Sequence, residues 1–326
     1  MKVLLTGASG FVGSFILDTL RERGIATVVL VRPTSNQRFL QPHLPAVEVL
    51  PGSIGDPESL RHALADVTHV IHCAGCTRAV RTSEFHKSNH LGTRQVVEAV
   101  NRRADSVARL VHISSMAAAG PATPSRPARE EDPPRPVSEY GRSKLAAEVE
   151  VIGQCRVPYT ILRPPAVYGP RDAAFLPMFA AVKRHLLLQP GGRQALSVVF
   201  ARDLAGAVVT CLDHPAAAGK MYYVASREIT SARAMAEEIA KQVGHWTLPC
   251  PLPVGAAWPV CLAQEVAARL TGKPVLLNLQ KFAEIRAPGW VCDPGRLRRE
   301  LGYECGTTLH QGISETLKWY QQEGWL

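Results

Sequence analysis

The sequence predicts an α/β protein built on a doubly wound parallel sheet with a smaller C-terminal lobe. Three observations predict it: short apolar runs alternate with longer amphipathic stretches through the first half, a glycine-rich turn directly follows the first of those runs, and the regularity fades beyond about Pro164. Alternation of this kind closes a parallel sheet with helices on both faces.

The apolar runs Lys2–Leu5, Thr27–Val31, Val47–Leu50, His69–His72, Leu110–Ile113 and Tyr159–Leu162 read as strands by length and β-branched content. Between them Phe11–Arg23, Pro57–Ala65, Glu84–Arg103 and Ser138–Gln154 read as helices. In the third of these helices Leu91, Val96, Val97 and Val100 form the apolar face that packs on the sheet. Six prolines between Pro121 and Pro136 exclude a helix or central strand there, so the segment is a surface loop inside the domain. Further helices are expected at Ala173–His185, Asp203–Leu212, Ala232–Gly244 and His310–Gln322. The resulting division gives residues 1–165 to a dinucleotide-binding domain, with 197–225 returning to it, and gives 166–196 and 226–326 to a substrate lobe.

At 326 residues, 46% hydrophobic and 20% charged, the chain can bury a large core. The first apolar run breaks at Thr6-Gly7, too early for a signal peptide or an anchor, so a cytoplasmic protein is expected. Eight scattered cysteines then read as reduced thiols, and the lone Cys73-Ala74-Gly75-Cys76 pair supplies only half of a zinc shell. No metal is expected, since strand alternation points His69 and His72 in different directions. The net charge of +9 is dispersed, without a basic run or interleaved aromatics, which argues against nucleic acid. Trp246–Leu270 is the most apolar stretch, but Pro249, Pro251, Pro253 and Pro259 exclude one spanning helix. It is expected to wall a substrate pocket, with peripheral membrane contact as the alternative.

Chemistry begins at Thr6-Gly7-Ala8-Ser9-Gly10-Phe11-Val12-Gly13, between the first strand and the helix it opens. Gly7 permits the tight turn, Gly10 lets backbone approach a pyrophosphate, and Gly13 lets the helix pack on the strand, so Gly7, Ser9, Gly10, Phe11, Val12 and Gly13 are candidate cofactor contacts. The helix start adds free N–H groups and positive potential for phosphate. An NAD site of this Rossmann type places an acid at the end of the second strand for the ribose 2′-hydroxyl. Val31 stands there, followed by Arg32, whose guanidinium can pair with a 2′-phosphate, with Thr34, Ser35 and Arg38 on the same loop. NADP(H) is therefore preferred over NAD(H); stacking on adenine or a place in solvent are the other readings of Arg32.

Tyr140-Gly141-Arg142-Ser143-Lys144 opens a helix behind Ser138, a suitable N-cap, and puts Tyr140 and Lys144 on one face. A phenol titrating near pH 10 is a poor proton donor or acceptor at neutrality, and an ammonium beside it favours the phenolate.

With TGASGFVG at Thr6–Gly13, HCAG at His72–Gly75, NHLGT at Asn89–Thr93, HISS at His112–Ser115, YGRSK at Tyr140–Lys144 and LRPPAVYGPR at Leu162–Arg171, the chain resembles the extended short-chain dehydrogenase/reductases over essentially its whole length. FARDLAGA at Phe200–Ala207 and the closing LKWYQQEGW add to the match. The resemblance implies that Ser115, which lies 25 positions before Tyr140 (140 − 115), hydrogen-bonds the reacting oxygen, with Ser114 its neighbour. It implies that Tyr140 and Lys144 act in catalysis and touch the cofactor, that Asn89 supports the site, that Ala74 and Gly75 line the adenine side, and that Pro164, Pro165 and Val167 flank the nicotinamide. Ser53 and Ile54 fall at the adenine-contacting position, where the family commonly has an aspartate after Gly52. Ala166 replaces the asparagine that nucleotide-sugar enzymes use, which moves the likeness toward dihydroflavonol reductases and hydroxysteroid dehydrogenases.

The expected function is reduction of a carbonyl, or oxidation of an alcohol, on a small and largely apolar substrate. An NAD-dependent epimerase or dehydratase of a sugar or nucleotide sugar is the alternative on the same residues, and Arg171, Arg193 or Arg202 could serve a sugar phosphate. A non-catalytic dinucleotide sensor is the rival from another class; such proteins typically lose the Tyr/Lys pair. A homodimer is expected from the family.

Overall fold

A computed structural model describes the chain apart from residues 191–193, 253 and 276–277. Its first half runs β1 (Lys2–Thr6), α1 (Phe11–Glu22), β2 (Ala26–Val31), β3 (Glu48–Pro51), α2 (Pro57–Ala63), β4 (His69–His72), α3 (Thr82–Phe85), a π turn at His86–Leu91, α4 (Gly92–Asn101), β5 (Arg109–Ile113), α5 (Met116–Ala119), α6 (Glu139–Gln154) and β6 (Tyr159–Arg163). With the strand Lys220–Tyr223 these form a parallel seven-stranded sheet, ordered Lys220–Tyr223, β6, β5, β4, β1, β2, β3. The order reverses at β1, so a crevice opens beyond the carboxyl ends of β1 and β4, where such sheets bind ligands.

Strands covered on both faces read as continuous apolar runs, and β1 and β5 are buried along nearly their whole length. On one face α1 and the helix Ala201–Asp213 bury Phe15, Ile16, Leu20, Leu204 and Val208 against Val3, Leu5 and Val111. On the other face α2, α4 and α6 bury Leu60, Val96, Val100 and Val151 against Leu4, Val70 and Leu110.

The stretch 84–103 is not the single α-helix its periodicity suggests. A π turn at His86–Leu91 separates α3 from α4, and within it Asn89 is buried. A π turn inserts a residue into the helical repeat and is frequent at functional sites. Here it holds the buried Asn89 one turn before the buried Thr93, which donates its hydroxyl to the Asn89 carbonyl.

Beyond β6 the strands are short. Ala166–Tyr168, Ala195–Phe200, Ile229–Ser231 and Gly289–Trp290 form a second sheet, and Leu186–Pro190 pairs in parallel with Leu248–Leu252. Helices Ala232–Val243 and Leu309–Gln322 pack on this lobe through Met235, Ile239, Ile313, Leu317 and Tyr320. Tyr320 donates its hydroxyl to the Asp172 carbonyl at 2.5 Å and stacks on Trp325, which makes the Trp319–Tyr320 pair a packing element. The Trp246–Leu270 stretch departs from the expected pocket wall: it carries a helix at Ala257–Thr271, and Trp246, Leu248, Trp258, Val260, Leu262, Val266 and Leu270 are exposed. Among the described residues no helix is long and apolar enough to cross a membrane.

Candidate active site

The glycine turn sits at the switch point of the sheet. Gly7 has φ +81°, and a Cβ there would lie 2.6 Å from the Ala74 nitrogen, so the turn and the strand β4 exit touch backbone to backbone. A Cβ on Gly13 would lie 2.0 Å from the Gly7 carbonyl oxygen, which is the close helix–turn packing expected there. Gly10 caps α1 without a side-chain acceptor and is exposed, leaving the first N–H groups of a twelve-residue helix open to an anion. Ser9, Phe11 and Val12 lie at the same turn, with Phe11 and Val12 leaning on the core beneath it. The residues present thus fit a dinucleotide pyrophosphate.

Around the turn the adenine-side candidates take distinct places. Ala74 donates its N–H to Thr6 Oγ1 at 3.2 Å, and a Cβ on Gly75 would lie 3.0 Å from Asn89 Oδ1 and 3.9 Å from Lys144 Nζ. The Ser53 hydroxyl accepts from the Gly55 N–H at 3.2 Å, and Ile54 fills the space over Gly92 at the start of α4. Arg32 is exposed just past β2, and among the described residues no carboxylate pairs with it; Cys76 is within its field. Arg38, by contrast, is paired with Glu323.

Ser138 caps α6 by accepting from Gly141 N at 3.1 Å, which sets the phase of the helix and directs Tyr140 and Lys144 toward the ends of β4 and β5. The two serines after β5 separate cleanly. Ser114 is buried and donates to Glu148 Oε1 at 2.5 Å, whereas Ser115 is partly exposed, caps α5 by accepting from Ala117 N at 3.1 Å, and hydrogen-bonds the Tyr140 side chain. Burial pushes the Tyr140 phenol up to about 12, and the bond to Ser115 pulls in the opposite direction. Lys144 is 5% exposed and donates to the Ile113 carbonyl at 2.6 Å. Burial lowers its ammonium to about 8, against an upward pull from Glu148. Pro164 and Val167 follow β6 on the same side, where the Pro164 carbonyl accepts from Met116 N at 2.8 Å.

Beneath these groups runs a buried polar chain that the sequence reading did not assemble. Register pairs Thr6 with His72 and His72 with His112 across the sheet. Thr6 Oγ1 meets His72 Nδ1 at 2.8 Å, His72 Nε2 meets Thr93 Oγ1 at 2.9 Å, and Thr93 donates to the Asn89 carbonyl at 2.6 Å. Asn89 spends its side chain on three bonds, accepting from Cys76 N at 2.6 Å and donating to Cys76 O at 3.0 Å and to Ser143 Oγ at 2.9 Å. Burial holds His72 down at about 3, so it is a neutral link. A second buried group, the ion pair of Arg163 with Glu148 at 2.8 and 2.5 Å, braces Ser114 against α6. The spacing of Glu148, four residues after Lys144, was the available signal for it.

The arginines considered for a sugar phosphate are differently engaged. Arg171 pairs with Asp18 at 2.8 Å and lies over Phe15 and Phe39, Arg202 pairs with Glu315 at 2.9 Å, and Arg193 lies outside the described residues.

Comparison with known proteins bears on the family and the fold. The sequence model of the NAD dependent epimerase/dehydratase family matches residues 3–225. The chain is 27% identical to the UDP-glucose 4-epimerase of Vibrio cholerae over 98% of its own length and 96% of that protein. It is 26% identical to the ceramide reductase of Caulobacter vibrioides, covering 99% of this chain and 96% of that one. Among solved structures, that of gox2253 superposes with a TM-score of 0.82 at 25% identity, over 99% of this chain and 98% of the other. Relatives of this kind include both reductases and epimerases. The chain belongs to the NAD dependent epimerase/dehydratase family.

Proposed function

We propose that this member of the NAD dependent epimerase/dehydratase family is an NADP(H)-dependent oxidoreductase that reduces a ketone or aldehyde on a small, largely apolar substrate, or runs the reverse oxidation. The observation that carries the reading is Arg32, exposed and, among the described residues, without a carboxylate partner, just past a strand that closes on Val31. A guanidinium there favours the 2′-phosphate, and an enzyme that draws on the separate NADPH pool performs net reduction.

The geometry supports the following roles. Bound NADPH would supply the hydride to the carbonyl carbon. The Tyr140 hydroxyl donates its proton to the substrate oxygen, and the Ser115 hydroxyl donates a hydrogen bond to the same oxygen as negative charge grows on it. Lys144, held against Ile113 O, lowers the cost of the phenolate left behind. Asn89 positions α6 through Ser143. Gly7, Ser9, Gly10, Phe11, Val12 and Gly13 cradle the pyrophosphate, Ser53, Ile54, Ala74 and Gly75 border the adenine half, and Pro164 and Val167 border the nicotinamide. We assign the cofactor to residues 1–165 with 197–225, and the substrate to 166–196 and 226–326. Leu91, Val149 and Ile152, exposed on the π turn and on α6, mark the face for a homodimer.

The second reading, transient oxidation and re-reduction of a sugar on bound NAD, is favoured by the likeness to the Vibrio cholerae epimerase. Incubating purified protein with NADPH and panels of apolar ketones and of nucleotide sugars separates the two. Consumption of NADPH with a ketone supports reduction; sugar interconversion without net NADPH loss, and no ketone reduced, overturns it.

A further inference from the structure

The helix Ala257–Thr271 wears its apolar face outward. Trp258, Leu262, Val266 and Leu270 recur every four residues, form one stripe, and are 47%, 36%, 49% and 82% exposed. Cys261 and Ala268, on the inward side, are buried. Apolar surface of this extent, concentrated on one helical face, marks an interaction site.

We propose that this stripe docks on an anionic lipid surface and so places the active site at the interface where a lipid-soluble ketone resides; the substrate part of this inference rests on the reading of the protein as a reductase of apolar carbonyls. Three observations favour a bilayer over a second copy of the chain. Four partly exposed side chains on one helix cover a few hundred Å², short of the ~800 Å² per partner of stable protein interfaces. Between His245 and Ala287 the chain carries Arg269, Lys273, Lys281 and Arg286 against Glu265 and Glu284, a local excess of positive charge in a chain of net +9. Lys273 and Arg286, on the segments that follow the helix, are exposed and, among the described residues, make no ion pair, while a tryptophan, a residue enriched at membrane interfaces, heads the apolar stripe.

The helix is also coupled to the site. Leu279 N donates to Glu265 Oε2 at 3.1 Å, joining it to the next helix, Leu279–Ile285. That helix reaches the start of α6: Ser138 donates to Glu284 Oε1 at 2.9 Å, and Glu139 N donates to Gln280 Oε1 at 2.7 Å. Tyr140 is the next residue. The helix that carries the stripe is therefore tied, through Leu279–Ile285, to the residues that open α6 directly before Tyr140.

The test is flotation of the full chain with phosphatidylcholine/phosphatidylglycerol vesicles and with phosphatidylcholine vesicles alone, at low and high salt. The same runs are made with the Val266→Glu/Leu270→Glu double variant, whose changes fall on solvent-facing positions and whose melting temperature is checked first. Expected are binding to the anionic vesicles that weakens with salt, a blue shift of tryptophan emission on binding, and a loss of about tenfold or more in lipid-bound double variant. A chain that stays with the aqueous fraction, a double variant that floats as well as the parent, or a double variant whose only change is in oligomeric state overturns the proposal. Flotation is read without turnover. Vesicle binding by a protein that reduces no ketone refutes the reductase reading and leaves the docking surface standing; ketone reduction without vesicle binding does the reverse.

Discussion

Asn89 Nδ2 donates to Ser143 Oγ at 2.9 Å, and that hydroxyl donates in turn to the Tyr140 carbonyl at 2.7 Å, so one hydrogen bond ties the π turn to the helix of Tyr140 and Lys144 and a second, inside that helix, passes the contact to the Tyr140 backbone. The same side chain holds both backbone groups of Cys76, at the exit of β4. One buried amide therefore ties the exit of β4 to the first turns of α6.

Asn89→Ala should accordingly cost more than a surface change. It strands the N–H and carbonyl of the half-buried Cys76 and removes one of the two bonds of the Ser143 hydroxyl, and each unsatisfied buried group costs about 1–3 kcal/mol, with relaxation and water entry recovering part. A loss of about 2–4 kcal/mol in denaturant unfolding is expected, with turnover falling while Tyr140 itself is intact. Stability within about 0.5 kcal/mol of the parent would show that the bridge does not hold the site.

For Tyr140→Phe the expected result is retained cofactor binding with turnover reduced by about 10²–10⁴-fold, the scale of a general acid–base group. The phenyl ring keeps the edge contact with Phe85, 5.9 Å between centroids, so the fold should persist. A turnover number within a few-fold of the parent would remove the phenol from the mechanism.

Arg32→Ala should weaken NADPH by about 1.5–3 kcal/mol and leave NADH nearly untouched, because the lost interaction is a charge-assisted bond to a phosphate that NADH lacks. Titration calorimetry with both cofactors reads this directly. Equal losses for the two would mean that Arg32 stacks on the adenine and reads no phosphate.

The parallel sheet was legible because its strands are buried on both faces and separated by helices with a clear period, and because Gly7, Gly10 and Gly13 have a backbone reason for their spacing. Tyr140 and Lys144 were legible for a local reason, their place four residues apart on one helix. The chain Thr6–His72–Thr93–Asn89 was not, since its members meet only through the register of β1 with β4 and through the π turn, and neither leaves a local period. In the C-terminal lobe strands of two to six residues, some interrupted by Pro249 and Pro251, carry too little pattern to be read singly. The outward stripe of Ala257–Thr271 misled the reading in another way, because an apolar face reads the same whether it turns to a core or away from it.

Lys144 provides a prediction whose sign depends on pH. Its ammonium is lowered to about 8 in the folded protein from an ordinary value of 10.5, with burial the main cause. Below pH 8 both folded and unfolded chains carry the charge, and the folded state bears the whole penalty of burying it. Between about pH 8 and 10.5 the unfolded chain binds more protons than the folded one, so this penalty fades as pH rises. A shift of this size corresponds to about 3 kcal/mol, from which the lost hydrogen bond to Ile113 O subtracts about 1 kcal/mol. Lys144→Met, of similar length and without charge, should therefore stabilise the ligand-free protein by about 2 kcal/mol at pH 7 while abolishing turnover. That advantage should shrink steadily toward pH 9.5 as the folded parent loses the ammonium proton. Denaturant unfolding at pH 7 and pH 9.5 checks both parts. A Lys144→Met protein no more stable than the parent at pH 7, or one whose advantage is the same at both pH values, would show that the ammonium is not held in the buried state this geometry requires.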